Sequence, residues 1–327
     1  MAKQRVLLLG ATGETGSSII TGLLALGKFE VKALIRPSSA VKPEVKVLAA
    51  KGVEVVLGDI AGPVDDLVSL LVGIDVFISA INGMGLLAQK NIATAAKKAR
   101  VRRFVPCGFA TVCPPGDVML LRDKKEEVNQ HIRKLFLPYT VIDVGYWYQL
   151  SIPRLPSGRI DDAIFPGVDT NLHCDGEAPN LLTDLRDVGY FVARIVDDER
   201  TLNKSVYAWG DVLSENQIWS TMEEISGETL ERVSGADIEA LIEQAKTLFA
   251  KEPENVRNLV VLHTSQYARS KYIRMDNRPE YAKYLGYLDA RELYPDFKPK
   301  SLKEFVTDLL DGKVKRPYLS SWDKKIG

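Results

Sequence analysis

Short apolar runs alternate with longer segments of helical spacing along about the first 145 residues. Several of these runs, such as VLLL and DVFISA, are apolar at successive positions, as expected for strands that are covered on both faces of a sheet. Regular alternation of such strands with helices is typical of a doubly wound α/β fold with a parallel sheet. The pattern predicts strands at 5–9, 30–35, 53–57, 75–80, 102–105 and 139–143, and helices at 15–27, 40–51, 63–72, 86–99 and 120–135.

This alternation stops after about Gly145. The segment 151–180 is rich in proline, glycine and aromatic residues without a clear period, which predicts loops over a site. A helix at 184–196 and a strand at 205–208 resemble the earlier elements, so we expect them to rejoin the sheet. The remainder is predicted to be mainly helical, with helices at 215–225, 238–249 and 301–310, the last of which begins with a Ser301 cap and an acidic residue three positions later.

Three glycines in the sequence GATGETG follow the first predicted strand directly and open the first helix. This is the context of a nucleotide-binding loop, in which the first glycine allows the turn, the second allows a pyrophosphate to approach the backbone, and the third allows close packing of helix on strand. The start of the helix also offers free N–H groups to the phosphates. A plain glycine-rich turn is the alternative. The predicted phosphate-binding residues are Gly10, Thr12, Gly13, Glu14, Thr15 and Gly16.

The end of the second predicted strand indicates which dinucleotide binds. An acidic residue is expected there when the ribose hydroxyls of NAD are held, but this strand ends in Arg36, followed by Ser38 and Ser39. A guanidinium and two hydroxyls are suited to the 2'-phosphate of NADPH or NADP+. The alternative is a solvated arginine at a strand end. Two further strand ends are predicted to border the dinucleotide, at Gly58 and Asp59 and at Ser79 and Ala80.

We therefore predict a Rossmann-type fold in which residues 1–150, joined by 183–212, bind NADP, while 151–182 and 213–327 form a smaller substrate-binding domain. The 43 basic residues balance 43 acidic ones, so the charge gives no reason to expect nucleic acid or a membrane as partner. Three cysteines without metal-like spacing favour a reducing compartment. We expect a cytoplasmic monomer or homodimer that binds a small molecule and no metal.

The sequence resembles the NmrA-like and isoflavone-reductase-like family of atypical short-chain dehydrogenases. The resemblance rests on GATGETG, on RPSS after the second strand, on GD after the third, on RRFVPCGFA at the fifth, and on a lysine-bearing helix that leads into LPYTVID. It covers the first half of the chain well and the second half only in general character. Most members are NADPH-dependent reductases of phenolic or other secondary metabolites, and some bind the dinucleotide only to sense redox state.

The resemblance implies that Lys125, on the helix before the PYT strand, is a general acid or base. The spacing supports an inward position, because Leu121, Lys125, Val128, Ile132 and Leu135 form one stripe of a helix. The neighbouring Lys124 is turned away by about 100°. Burial lowers the pKa of an ammonium towards the range useful for proton transfer. The alternative is a lysine whose charged end reaches solvent.

The resemblance also implies that Phe109 packs against the nicotinamide. The family usually has Ser-Glu where this chain has Cys107 and Gly108, and this departure removes a hydroxyl and a carboxylate from the mouth of the site. The proton relay and the polarity of the substrate are therefore expected to differ. Cys107 is interpreted as a small packed residue or, alternatively, as a reactive thiol.

Aromatic residues after the last long strand are candidates for the substrate pocket. Tyr146, Trp147 and Tyr148 either wall a pocket for a flat apolar substrate or close a domain interface, and His173 lies in the irregular segment where it could face substrate. Tyr267 and Lys271 spell the YxxxK pattern of ordinary short-chain dehydrogenases. We interpret this pattern as a coincidence, because it lies far beyond the strands that should flank it.

These features predict an NADPH-dependent reductase that acts on a C=C, C=N, C=O or benzylic carbon, with Lys125 moving the proton. Two alternatives stay open. One is a redox-sensing regulator that binds NADP without turnover, and the other is an enzyme with redox-neutral chemistry in which the dinucleotide shapes the pocket.

Overall fold

The computed structural model describes residues 3–166 and 171–318. The predicted loop segment 151–180 and the predicted substrate-binding range 213–327 therefore each include residues outside the described ones. The first half contains, in order, β1 Gln4–Leu9, α1 Glu14–Leu26, β2 Phe29–Ile35, α2 Pro43–Ala50, β3 Glu54–Leu57, α3 Val64–Leu71, β4 Val76–Ser79, α4 Gln89–Lys98, β5 Arg103–Val105, α5 Leu120–Lys134 and β6 Thr140–Asp143. Every strand and helix predicted for this half is confirmed, with ends that shift by a few residues.

The second half contains shorter and less regular elements. They are β7 Tyr146–Trp147, β8 Asn180–Thr183, α6 Leu185–Asp197, β9 Lys204–Tyr207, β10 Asp211–Leu213, α7 Glu215–Ser226, α8 Ile238–Lys251, α9 Val256–Ala268, a π-helix Arg269–Ile273, α10 Pro279–Tyr284, β11 Leu288–Asp289, α11 Ala290–Leu293 and α12 Leu302–Leu310. The helices predicted at 184–196, 215–225, 238–249 and 301–310 are confirmed. The strands β7, β8, β10 and β11, the helices α10 and α11, and α9 with its π-helical extension were not predicted.

The main sheet is parallel and has the strand order β3-β2-β1-β4-β5. Beyond β5 it continues through a parallel bridge between Phe104 and Tyr139 to β6, which pairs in parallel with β9, and β9 pairs with β11. The order turns back at β1, from which β2 and β3 lie on one side and β4 and β5 on the other. This confirms the doubly wound α/β fold, and it places the ligand crevice at the carboxyl ends of β1 and β4.

Alternate residues of β1 enter the cores on the two faces of the sheet, which explains its continuous apolar sequence. Val6 and Leu8 pack with α1 and α6, whereas Leu7 and Leu9 pack with α3, α4 and α5. A third core around Trp219 joins α7 and α12 in the second half. Across the described ranges, no helix has the length and apolarity needed to span a membrane.

The segment containing α6 and β9 returns to the first half of the chain, as the sequence predicted. Ser18 on α1 donates a hydrogen bond to the Leu185 carbonyl at 2.7 Å and accepts one from the Gly189 N–H at 2.9 Å. A Cβ on Gly22 would lie 2.0 Å from the Gly189 carbonyl oxygen, so the two helices touch backbone to backbone. These contacts hold α6 against α1, while the domain boundaries themselves stay a prediction.

Candidate active site

The glycine loop is a tight turn between β1 and α1 at the carboxyl edge of the sheet. Gly10 has φ +86°, and a Cβ there would lie 2.3 Å from the Ala80 carbonyl oxygen. A Cβ on Gly16 would lie 2.0 Å from the Gly10 carbonyl oxygen. A Cβ on Gly13 would make only an ordinary contact, at 3.4 Å from the same oxygen. Gly10 and Gly16 are therefore required by packing, whereas the structure leaves the space beside Gly13 open.

The start of α1 is available to a ligand. Gly13 occupies the N-cap position and provides no side-chain oxygen to the helix, so the N–H groups of the first turn keep their donors. Thr12 is exposed, and Glu14 and Thr15 are half-buried beside it. Unpaired N–H groups and the positive end of the helix dipole form an anion-binding site. The glycine loop and the first turn of α1 form a cradle that fits the pyrophosphate of a dinucleotide.

The ends of β2 and β3 lie on the same edge of the sheet as this cradle, because β2 pairs in parallel with β1 and β3 pairs in parallel with β2. Arg36 is exposed, and its guanidinium has no partner among the described residues. Ser38 and Ser39 follow in a short 3-10 helix, Pro37–Ser39. Gly58 donates its N–H to the Ile35 carbonyl at 3.0 Å, and the Asp59 carboxylate accepts from the Ala61 N–H at 3.0 Å.

The end of β4 lies beside the end of β1, at the point where the strand order turns back. Ala80 donates its N–H to the Leu9 carbonyl at 2.8 Å, which ties β4 to the strand that carries the glycine loop. Ser79 is wholly buried, and its hydroxyl has no hydrogen-bond partner among the described residues. The predicted dinucleotide residues thus lie along one edge, in the order in which their strands pair.

The loop after β5 brings Phe109 and Lys125 together. Phe109 has φ +46°, an unusual conformation for a residue with a side chain, and its N–H donates to the Ile142 carbonyl at 2.6 Å. A Cβ on Gly108 would lie 2.4 Å from the same carbonyl oxygen. The glycine that departs from the family pattern is therefore required by the close approach of the loop to β6.

Lys125 points inward from α5, as the sequence predicted, and its side chain is 7% exposed. Its ammonium donates to the Cys107 carbonyl at 2.7 Å and to the Gly108 carbonyl at 2.6 Å, and the Cys107 sulfur is 3.9 Å away. Burial lowers the pKa of Lys125, and the Arg122 charge adds to this effect, against the opposing influence of Cys107. A lysine that loses its proton more easily than usual is suited to proton transfer.

A buried ion pair next to Lys125 was not predicted. The Arg122 guanidinium donates to the Asp143 carboxylate at 2.9 Å and to the Thr111 carbonyl, and the Tyr287 hydroxyl donates to the same carboxylate oxygen at 2.8 Å. Burial opposes the charge on Arg122, but Asp143 more than offsets this and raises the pKa of the guanidinium. The only available sequence signal is an arginine and an aspartate at positions that otherwise read as buried.

The predicted substrate residues separate into two groups. Tyr146 is half-buried and faces Tyr267, with ring centroids 5.8 Å apart, and His173 stacks on Tyr272 at 4.3 Å. Trp147 is almost fully buried beside them. Tyr148, in contrast, is completely buried, and its hydroxyl donates to the Asp211 carboxylate at 2.8 Å. Tyr148 is therefore a core residue, and we do not retain it in the proposed pocket.

Tyr267 and Lys271, the two residues of the YxxxK pattern, also lie within this group. Lys271, on the π-helix after α9, places its ammonium 3.5 Å from the centroid of the Tyr146 ring. The first turn of α5 is joined to the end of α9, because the Leu120 N–H donates to the Gln266 side chain at 3.0 Å. The interpretation of the YxxxK pattern as a coincidence stays a prediction, although α9 returns to the sheet edge and places Tyr267 and Lys271 beside Tyr146. Their distance from the strands in sequence concealed this.

The C-terminal segment was also missed. Tyr318 donates its backbone N–H to the Glu14 carboxylate at 2.8 Å, and its ring packs against Trp147 and Phe165, with centroids 6.0 and 5.8 Å apart. It thereby joins the glycine loop to the aromatic group. Nothing in the local sequence after α12 indicates this contact.

The sheet order and its helices define a Rossmann-type α/β fold. The NmrA-like family model matches residues 2–306, so the chain belongs to the NmrA-like family. It is 41% identical over 312 residues to asnovolin J 5',6'-dehydrogenase nvfM of Aspergillus novofumigatus, which covers 94% of this chain and 95% of that protein. It is 26% identical over 320 residues to an isoflavone reductase-like protein of Olea europaea, with 93% of this chain and 98% of that protein covered.

Solved structures share the fold over nearly the whole chain. A leucoanthocyanidin reductase from Vitis vinifera in complex with NADPH has a TM-score of 0.78 at 24% identity, covering 94% of this chain and 99% of that one. AtPrR2 with NADP+ and (+)pinoresinol has a TM-score of 0.75 at 25% identity, with the same coverage. Within the described residues, no group of three or more histidine, cysteine or acidic side chains is arranged to hold a metal ion.

Proposed function

We propose that this protein is an NADP-dependent oxidoreductase of a small aromatic or other secondary metabolite. The observation that carries the proposal is the buried Lys125 ammonium, held by the Cys107 and Gly108 carbonyls beside Phe109 at the carboxyl edge of the sheet. The named relatives support it, since they include a dehydrogenase and several reductases, and AtPrR2 was solved with NADP+ and a small-molecule ligand.

The dinucleotide-binding residues act through backbone and charge. The first turn of α1 binds the pyrophosphate through the N–H groups after Gly13. Arg36, with Ser38 and Ser39, binds the 2'-phosphate, because a guanidinium forms paired hydrogen bonds to phosphate oxygens. Phe109 packs against the nicotinamide, as the family resemblance implies, and its left-handed backbone conformation belongs to the loop that also carries Cys107 and Gly108.

When bound, the dinucleotide supplies or accepts the hydride at its nicotinamide ring. Lys125 then exchanges a proton with the substrate atom next to the carbon that reacts. The two carbonyls orient its ammonium, and burial lowers its pKa, so that the lysine can give up a proton and take it back. Tyr146, Trp147 and Tyr318 exclude water on the substrate side.

A labelled-hydride experiment tests this function and separates it from its two alternatives. The protein is incubated with NADPH carrying deuterium at nicotinamide C4 and with a panel of phenolic, enone, imine and benzylic ether compounds, including (+)-pinoresinol. NADP+ with saturated counterparts tests the oxidative direction. The proposal predicts deuterium in a product. An altered product without label indicates redox-neutral chemistry, and binding of NADPH without any conversion indicates a sensor.

The role of Lys125 is tested in the same assay with Lys125→Ala. Loss of a general acid or base is expected to lower turnover by about 10²–10⁴-fold while the affinity for NADPH is retained. Lys124→Ala is the matched control, because Lys124 precedes it on α5 and is turned away from the carbonyls. Equal turnover of the two variants would remove Lys125 from the mechanism.

A further inference from the structure

Six side chains from four distant parts of the sequence, Tyr146 among them, form a polar and aromatic cluster. We call it the Lys271 cluster, and it consists of Tyr146, His173, Glu215, Tyr267, Lys271 and Tyr272. It lies on the same side of the molecule as Lys125, because α9 packs on α5. The dinucleotide contacts proposed above use none of its residues.

Lys271 is buried without a full set of hydrogen-bond acceptors. Its side chain is 6% exposed, and its ammonium lies 3.5 Å from the centroid of the Tyr146 ring and 4.6 Å from that of Tyr272. It donates one hydrogen bond, to the Tyr272 hydroxyl at 3.0 Å. Among the described residues no carboxylate lies within 4 Å of it. An ammonium has three donors, so two of them stay unused next to aromatic faces.

The carboxylate of the cluster, Glu215, pairs with His173 and not with Lys271. The Glu215 carboxylate accepts from the His173 N–H at 2.8 Å and pairs with the His173 ring at 2.9 Å. His173 in turn stacks on Tyr272, so Glu215 orients the wall of the cluster and does not contact the lysine. Burial lowers the pKa of Lys271 to about 8, although Glu215 acts in the opposite direction. A buried charge of this kind is costly unless something else binds it.

Two tyrosines of the cluster present further unused donors. The hydroxyls of Tyr146 and Tyr267 form no hydrogen bond with any part of the chain that the structure describes, and both side chains are only partly buried. Burial raises the pKa of Tyr146 to about 12 and also raises that of Tyr267, so both hydroxyls stay protonated. An ammonium and two phenols between aromatic rings are complementary to a flat molecule that carries an acceptor oxygen.

We propose that Lys271 is a substrate-binding residue that holds an anionic oxygen, a carboxylate or an acidic phenolate or enolate, on a flat ring system. This inference rests on the proposed function, since it assigns a class of substrate to the same site. Tyr146 and Tyr267 stack on or bind the ring, and the Lys271 ammonium uses its two remaining donors on the oxygen. Specificity arises because a neutral analogue leaves the buried ammonium unpaired.

The test compares two probes of equal shape, 2-naphthoate and 2-naphthamide, titrated by calorimetry into the full chain saturated with NADP+. Wild type is expected to bind the carboxylate at least tenfold more tightly than the amide. Lys271→Met is expected to bring the two affinities within threefold of each other, and Lys271→Arg to keep most of the preference. Lys246→Met, which removes an exposed lysine of α8, is the control and is expected to behave as wild type.

Several results would overturn the inference. They are equal affinity of wild type for both probes, no binding of either probe at millimolar concentration, or an unchanged preference in Lys271→Met. If the methionine variant does not fold, as judged by NADP+ affinity, Lys271→Gln replaces it with the same expected result. The deuterium assay is independent of this readout. A carboxylate preference without hydride transfer would preserve the anion site and refute the proposed oxidoreductase.

Discussion

The carboxyl edge of the main sheet carries the glycine loop, Arg36 and the end of β4, and we call it the dinucleotide edge. It and the Lys271 cluster are built in opposite ways. At the dinucleotide edge, backbone atoms of neighbouring strands determine which residue is tolerated, as where Gly10 meets the Ala80 carbonyl and Gly16 meets the Gly10 carbonyl. In the Lys271 cluster, side chains from distant segments meet through rings and charges, as where Lys271 meets Tyr146. The first arrangement can hold the same cofactor in many proteins, whereas the second can change its ligand by single substitutions.

The largest effect is expected at Gly16, in the glycine loop of the dinucleotide edge. In Gly16→Ala the new methyl group would lie 2.0 Å from the Gly10 carbonyl oxygen, so the loop or α1 must move. We expect NADPH affinity to fall more than 100-fold and the free energy of unfolding to fall by about 3–5 kcal/mol. Fluorescence titration and urea unfolding measure the two effects.

Gly13→Ala is the matched control for Gly16→Ala. Its methyl group would contact the Gly10 oxygen at 3.4 Å, an ordinary distance, and its backbone conformation suits alanine. Stability is expected to change by about 0.5 kcal/mol or less. NADPH affinity is nevertheless expected to fall at least tenfold, because the methyl group occupies the path of the pyrophosphate. Normal affinity in Gly13→Ala would contradict the assignment of the cradle.

The second prediction concerns the buried ion pair between Arg122 and Asp143, which lies close to both Lys125 and Tyr267. Asp143→Asn leaves the buried Arg122 without its negative partner, and we expect a loss of about 3–5 kcal/mol in the free energy of unfolding. The double variant Arg122→Met with Asp143→Leu removes both charges and is expected to recover most of that loss. A cost below about 1 kcal/mol for the single variant would show that the pair is not an important support for α5.

The third prediction is a pH effect at Asp187, which joins α6 to the segment before α12 through the Lys300 N–H at 2.6 Å. Burial raises the pKa of Asp187 to about 6 from 3.8. The folded state therefore binds the proton more tightly than the unfolded state, so stability falls as the pH rises from about 4 to 6. The loss is at most about 3 kcal/mol.

The variant Asp187→Asn is expected to lack this decline while its amide oxygen still accepts from Lys300. Urea unfolding at pH 4.5, 5.5 and 7 compares the two proteins. Parallel pH profiles would show that Asp187 does not carry the effect.

The fourth and smallest expected effect concerns Arg36. Replacing it with serine removes charge-assisted hydrogen bonds to the 2'-phosphate, and we expect NADPH affinity to fall about 10–100-fold while NADH affinity stays within threefold. Lys42→Ser, a nearby exposed basic residue, controls for general charge. If wild type prefers NADH, the interpretation of the second strand end is wrong.

The sequence was a good guide to the dinucleotide edge for a physical reason. Buried parallel strands are recognisable as apolar runs, and a glycine loop between a strand and a helix has a local pattern. The position of Lys125 also followed from helical spacing within α5. Each of these signals spans fewer than about twenty residues, so no knowledge of long-range contacts was needed.

The sequence was a poor guide to the second half of the chain. The two-residue strand β7 carries no periodicity, and the contact between Lys271 and Tyr146 joins segments more than a hundred residues apart. Tyr148 was predicted to accompany Tyr146 because they share a segment, yet the short 3-10 helix Tyr148–Leu150 turns it into the core. Pairings of this kind are set by tertiary packing, which local patterns do not record.

The central claim is that the dinucleotide binds along the strand ends with its nicotinamide beside Lys125. A crystal structure of the full chain with NADP+ tests it directly. We expect the pyrophosphate at the first turn of α1, the 2'-phosphate on Arg36 and Ser38, and the nicotinamide against Phe109, within reach of the Lys125 ammonium. A dinucleotide bound elsewhere, or with its nicotinamide turned away from Lys125, would contradict the account.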